Sequence, residues 1–123
     1  MKSGSSSKLT FGLLLSGNSA MLVLGADKAL PDKTKYTLAR NIRLVRQTLK
    51  ECEKKRKELV KKYGAPDKMG GHSVLPENAE RFDDEWNAIL DCEVSLDIRK
   101  LEKTHFARLS ANEISLLDWM MIE

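Results

Sequence analysis

The side chains able to do chemistry are few and dispersed: Cys52, His72, Cys92 and His105. A structural metal site gathers such ligands at short fixed spacings, and no two of these stand three or four residues apart, so neither a metal nor a cofactor is expected. Two cysteines in 123 residues make no disulfide framework, and a reducing compartment is the simpler reading. Each is read as a small buried hydrophobe, Cys52 inside a helix and Cys92 at the end of another. Carboxylates cluster at Asp83, Asp84 and Glu85 and again at Asp91 and Glu93. Consecutive residues on a helix point in different directions, so these acids read as a solvated face rather than a shared acid-base site. Gly70 and Gly71 lack the Lys and following helix of a phosphate-cradling loop, and no serine stands in a nucleophile elbow. The expectation is therefore a protein without enzymatic activity.

Charge is the stronger signal. The net charge of +3 conceals a bipole: residues 33–62 hold twelve Lys or Arg against three Glu, whereas residues 77–123 hold five basic and twelve acidic side chains. Such a separation is satisfied within the molecule, between copies, or by an outside polyanion. Arg43, Arg46, Lys50, Lys54 and Lys57 are taken as the partner-binding surface, with a protein partner preferred. Nucleic acid is the weaker reading, because Glu51, Glu53 and Glu58 interrupt the run and no aromatic residues interleave it.

These residues need elements to position them. From Lys33 to Tyr63, Leu38, Ile42, Val45, Leu49, Cys52, Arg56, Leu59 and Tyr63 alternate by four and three, a heptad seam with one charged member. The spacing predicts a helix roughly 45 Å long, begun by Pro31-Asp32 with Asp32 as cap, closed by Gly64 and barred from continuing by Pro66. Leu49→Asp is expected to destroy folding or assembly. A second amphipathic helix over 77–91, with Ala79, Phe82, Trp86, Ile89 and Leu90 on one face, packs back on the first as a hairpin. It is about half as long, so the rest of the seam needs the N-terminal helix or a second copy, and a coiled-coil homo-oligomer is one expected outcome.

Thr10 caps a short first helix weakened by Gly12, Gly17 and Gly25, with a bend near Gly17. Val94, Leu96 and Ile98 alternate with polar residues as in a strand, and their expected partner is the run 72–75. Ser110 and Glu113 form a capping box ahead of a final helix. The fold class is mainly α: a long antiparallel helical hairpin with a small two-stranded β ribbon and short terminal helices. Residues 1–8, rich in Ser, read as a flexible arm and 9–123 as a single helical domain. The apolar stretch 11–26 is too short and too interrupted to span a bilayer, and its split core argues against a signal peptide. No membrane association is expected, and the location is cytoplasmic.

The ordered set Ala29-Leu30-Pro31 with Lys33, Tyr36, Ala39 and Arg40, then Arg56, Leu59 and Lys62-Tyr63-Gly64, then Pro76-Glu77-Asn78 with Phe82, then Glu93-Val94-Ser95-Leu96-Asp97-Ile98, and finally Ser110, resembles a group of small, functionally unassigned helical proteins of bacteriophages and prophages. The chain departs from that pattern in its Gly- and Ser-broken first helix. The resemblance implies a phage or prophage accessory protein acting through protein-protein contacts in particle assembly, in the host cell cytoplasm. A host-directed inhibitor of a bacterial defence protein is the alternative it implies, and nucleic-acid binding through the basic helix is a third. It carries over no catalytic residue.

Overall fold

The computed structural model describes residues 9–122. Over these residues the chain is mainly helical, with α1 (Phe11–Gly25), α2 (Asp32–Tyr63), β1 (Gly64–Pro66), β2 (His72–Val74), α3 (Ala79–Leu90) and α4 (Ala111–Leu116). Single 3-10 turns stand at Pro76–Asn78, Lys103–Phe106 and Asp118–Met120. The arm expected over 1–8 lies outside the described residues.

The long helix is unbroken over 32 residues, roughly 48 Å at about 1.5 Å per residue. Pro31 stands at its cap position and Asp32 is its first helical residue, with no side-chain cap bond. A carboxylate in the first turn and Lys61 and Lys62 in the last both oppose the helix dipole. Leu38, Val45, Cys52 and Leu59 of the seam are buried, while Ile42, Leu49, Arg56 and Tyr63 are half-buried. Complete burial of Leu38 and Val45 contributes about 1.5–3 kcal/mol each.

Both halves of this seam are covered from within the chain. α3 runs back along the C-terminal half and α1 along the N-terminal half, where Gly25 abuts Ile42. The two covering helices meet end to end: Phe11 N–H donates to Cys92 O (3.2 Å) and Val94 N–H to Leu9 O (2.8 Å). The length argument for a second copy therefore loses its premise.

Two local expectations are corrected, at Gly17 and in the ribbon. α1 is not broken at Gly17, which is buried where any Cβ would press on Leu116 O at 2.8 Å, so the glycine admits the end of α4 to the helix surface. Gly64 is the C-cap of α2, as its position after Tyr63 predicts, but in extended backbone with a φ of −121°; it opens β1, and a Cβ there would collide with the Val60 and Ser73 carbonyls. The ribbon pairs β2 with β1 in antiparallel register, Gly64 opposite Val74, and not with residues 94–98. The chain leaving α2 is already extended and reaches 72–74 through one tight turn, so the nearer partner wins.

Residues 94–100 are extended without a strand partner, and they keep the alternation read from sequence: Val94, Leu96 and Ile98 half-buried, Ser95, Asp97 and Arg99 exposed. They cross α2, and Leu101 then bridges to Met121. The core lies where α1, the first half of α2 and this C-terminal segment meet, around Leu14, Met21, Leu38, Phe106, Leu117 and Met120. Ser110 and Glu113 form the expected capping box, with Glu113 N–H donating to Ser110 Oγ and Ser110 N–H to Glu113 Oε1.

Candidate partner-binding face

Successive helical residues turn by about 100°, which puts Arg43, Arg46, Lys50, Lys54, Lys57 and Lys61 on one side of α2 at spacings of three, four, four, three and four. All six are exposed, and none makes an ion pair with a described residue. Lys61 continues the same spacing beyond the five residues expected to form the partner-binding surface. Tyr36, 78% exposed, begins the column that Arg43, Lys50 and Lys57 continue at intervals of seven.

The acidic half of the chain does not neutralise this stripe, because it packs on the other flank of the helix. Arg40 donates to Asp97 Oδ2 at 2.9 Å and to Asp97 O at 2.7 Å, and Lys62 reaches Glu85 at 3.1 Å. Within α2, Arg56 binds Glu53 through Nε and Nη2 at 3.0 and 2.6 Å. That bidentate bond pulls the Glu53 carboxyl below its usual range and raises the Arg56 guanidinium. These pairs face solvent and contribute little to stability, but they fix which cations remain uncommitted.

Two grooves run beside the stripe. Ala39, Ile42, Arg43, Arg46, Gln47 and Lys50 border an open one of about 520 Å³. Close to it stands an apolar surface: α1 holds no charged residue, and its Leu15, Leu22 and Val23 are 40–50% exposed. The C-terminal segment marks one flank of both helices, through Leu116 and Trp119 beside Gly17 on α1 and through Asp97 and Arg99 beside Arg40 and Asn41 on α2. Leu15, Leu22, Arg43 and Arg46 project from the opposite flanks, so the apolar and cationic surfaces share one side of the α1/α2 layer.

The second groove, of about 310 Å³, lies between the end of α2 and the ribbon, lined by Arg56, Lys57, Val60, Lys61, Gly71 and His72. Asp67 locks the turn that carries two of these residues. Its Oδ1 accepts from Met69 N–H (2.9 Å) and Gly71 N–H (3.0 Å), and its Oδ2 from Ser73 Oγ (3.1 Å). Those bonds, Met69 foremost, hold the carboxyl below its usual range. Gly70 supplies the φ of +85° that closes the turn.

The other chemistry-capable residues do not converge. Cys52 is buried in the seam, where desolvation raises its thiol pKa, the opposite of nucleophile activation. Cys92 is exposed, contrary to the burial expected of it, because α3 has ended and the chain turns outward to meet Leu9 and Phe11. His105 shares a hydrogen bond with Thr34 Oγ1 at 3.3 Å. Among the described residues, no three His, Cys, Asp or Glu side chains are grouped to hold a metal ion, and no helix is long and apolar enough to cross a membrane. Comparison with protein-family models, with curated proteins and with solved structures finds no match to this chain.

Proposed function

We propose that this protein acts without catalysis, as an accessory protein that docks an acidic protein surface onto the side of the α1/α2 layer bearing Arg43, Arg46 and Lys50. The observation that carries the reading is a run of exposed cations left unpaired by every described carboxylate, beside exposed Leu15, Leu22 and Val23. Interfaces concentrate their energy in apolar and aromatic anchors flanked by Arg, with complementary charge setting encounter rate and register. Tyr36 and Arg43 are one turn-pair of that kind. The resemblance to small helical phage and prophage proteins supplies the setting, particle assembly, with blockade of a host protein as the other role that such docking serves.

The test is capture from infected cells with the intact chain and with Arg43→Glu/Arg46→Glu/Lys50→Glu. A stoichiometric acidic protein, retained after nuclease treatment and lost with the charge reversal, is the expected result. Recovery of nucleic acid alone, or of a protein indifferent to the reversal, would sink the reading. Copurification with capsid or tail intermediates separates assembly from host inhibition, which instead alters the activity of a host protein at equal dose.

A further inference from the structure

The groove at the end of α2 differs from the rest of the basic face in being built from two elements. Lys57 and Lys61 stand one helical turn apart on α2, while His72 and Gly71 reach them from the ribbon. The groove around Arg43 is lined by α2 alone, whereas here Lys57 and Lys61 of α2 and His72 of the ribbon border one groove of about 310 Å³. No carboxylate lines the groove.

Two acids are hydrogen-bonded to residues that line it, Glu53 to Arg56 and Asp67 to Gly71. Glu53 is engaged by Nε and Nη2 of Arg56. Asp67 directs its oxygens to Met69, Gly71 and Ser73, bonds that fix the turn ahead of His72 and turn its carboxylate inward on that turn. Lys57 and Lys61 are left as two ammonium groups without a carboxylate partner among the described residues. A pair of uncompensated ammoniums matches a terminal phosphate, which carries about −1.5 to −2 charges at neutral pH, better than a singly charged phosphodiester. Val60 adds an apolar wall, and the volume exceeds that of a bare phosphate.

We propose that this groove binds a phosphomonoester, its phosphate between Lys57, Lys61 and His72 and its organic body against Val60. The groove shares Lys57 and Lys61 with the cationic stripe and adds to them His72 of the ribbon, which docking at Arg43, Arg46 and Lys50 does not use.

Its test is a titration of the isotope-labelled full chain, followed by backbone amide shifts, with inorganic phosphate, phenyl phosphate, sodium chloride at matched ionic strength, and one oligonucleotide with and without a 5′-phosphate. Saturable shifts at Gly71 and His72 with both phosphates, several-fold tighter for phenyl phosphate, are expected. Lys61→Ala/His72→Ala should weaken binding about tenfold or more, in line with the loss of charge-assisted hydrogen bonds. Lys61→Gln, at an exposed helical position, provides the same comparison if the double variant disturbs the ribbon. Equal shifts with chloride, shifts mapping to Arg43 and Lys50, equal binding of the unphosphorylated oligonucleotide, or unweakened variants would each overturn the proposal.

Discussion

The side-chain amide of Asn41 pairs with the peptide of Arg99 in both directions, Nδ2 donating to Arg99 O at 2.8 Å and Oδ1 accepting from Arg99 N–H at 3.1 Å. Asn41 is completely buried on α2, and its amide takes the place of a neighbouring strand for a stretch that has none. Asn41→Ala strips the Arg99 backbone of both partners, at a cost of about 2–4 kcal/mol. Chemical denaturation should report that loss, together with faster amide exchange across 97–101. A change below about 0.5 kcal/mol would mean that the crossing segment is held by its apolar residues alone.

Gly17 and Gly25 lie on the same helix and should answer oppositely to alanine. At Gly17 a Cβ meets the backbone oxygen of Leu116, which cannot step aside, so Gly17→Ala should destabilise by about 1–3 kcal/mol despite its better helix propensity. At Gly25 the only near neighbour among the described residues is the flexible Cδ1 of Ile42 at 3.1 Å, and alanine should be neutral or stabilising by up to about 1 kcal/mol. Thermal melts of the two variants give the comparison.

Arg43, Arg46 and Lys50 are expected to matter for contact and not for folding. Replacing all three with Gln removes repulsion along one face and breaks no ion pair with a described residue, so the melting temperature should hold or rise slightly. A clear fall in stability would show that these side chains are committed within the molecule, and the docking face would have to be sought elsewhere.

Asp67 makes the ribbon sensitive to acid. Its carboxyl pKa is lowered in the folded chain, so its stabilising effect is present above the ordinary aspartate value of about 3.9 and is lost as pH falls from there through the folded value. Amide exchange at Met69 and Gly71 should accelerate over that window while the core resists. In Asp67→Asn the same amides should be less protected at neutral pH and show no such acid transition.

What could be read from the sequence was whatever periodicity encodes. The heptad spacing located α2 and its buried stripe, and the Ser110 and Glu113 pair located the start of α4. The stripe of exposed cations followed from the same spacing. Partner choice was not encoded in that way: the alternation at Val94, Leu96 and Ile98 revealed an extended half-buried segment but not that an Asn side chain would stand in for its neighbouring strand. Asn41 kept heptad spacing with Leu38 and Val45, yet a polar residue beside a seam reads first as solvated. The groove at His72 was illegible because it depends on Asp67 folding the turn back toward Lys57 and Lys61, a relation that only the ribbon register sets.

The end-to-end meeting of α1 and α3 along α2 separates the molecule into a part made of neighbours and a part made of strangers. Residues from the middle of α2 to Leu90 find their contacts a short way along the chain, a topology that closes quickly. α1 packs on the helix that follows it, but its flank at Gly17 is covered only by Leu116, Leu117 and Trp119, nearly a hundred residues further on. That flank of an uncharged helix faces water until a segment distant in sequence folds back on it, so the core closes later than the α2/α3 hairpin does.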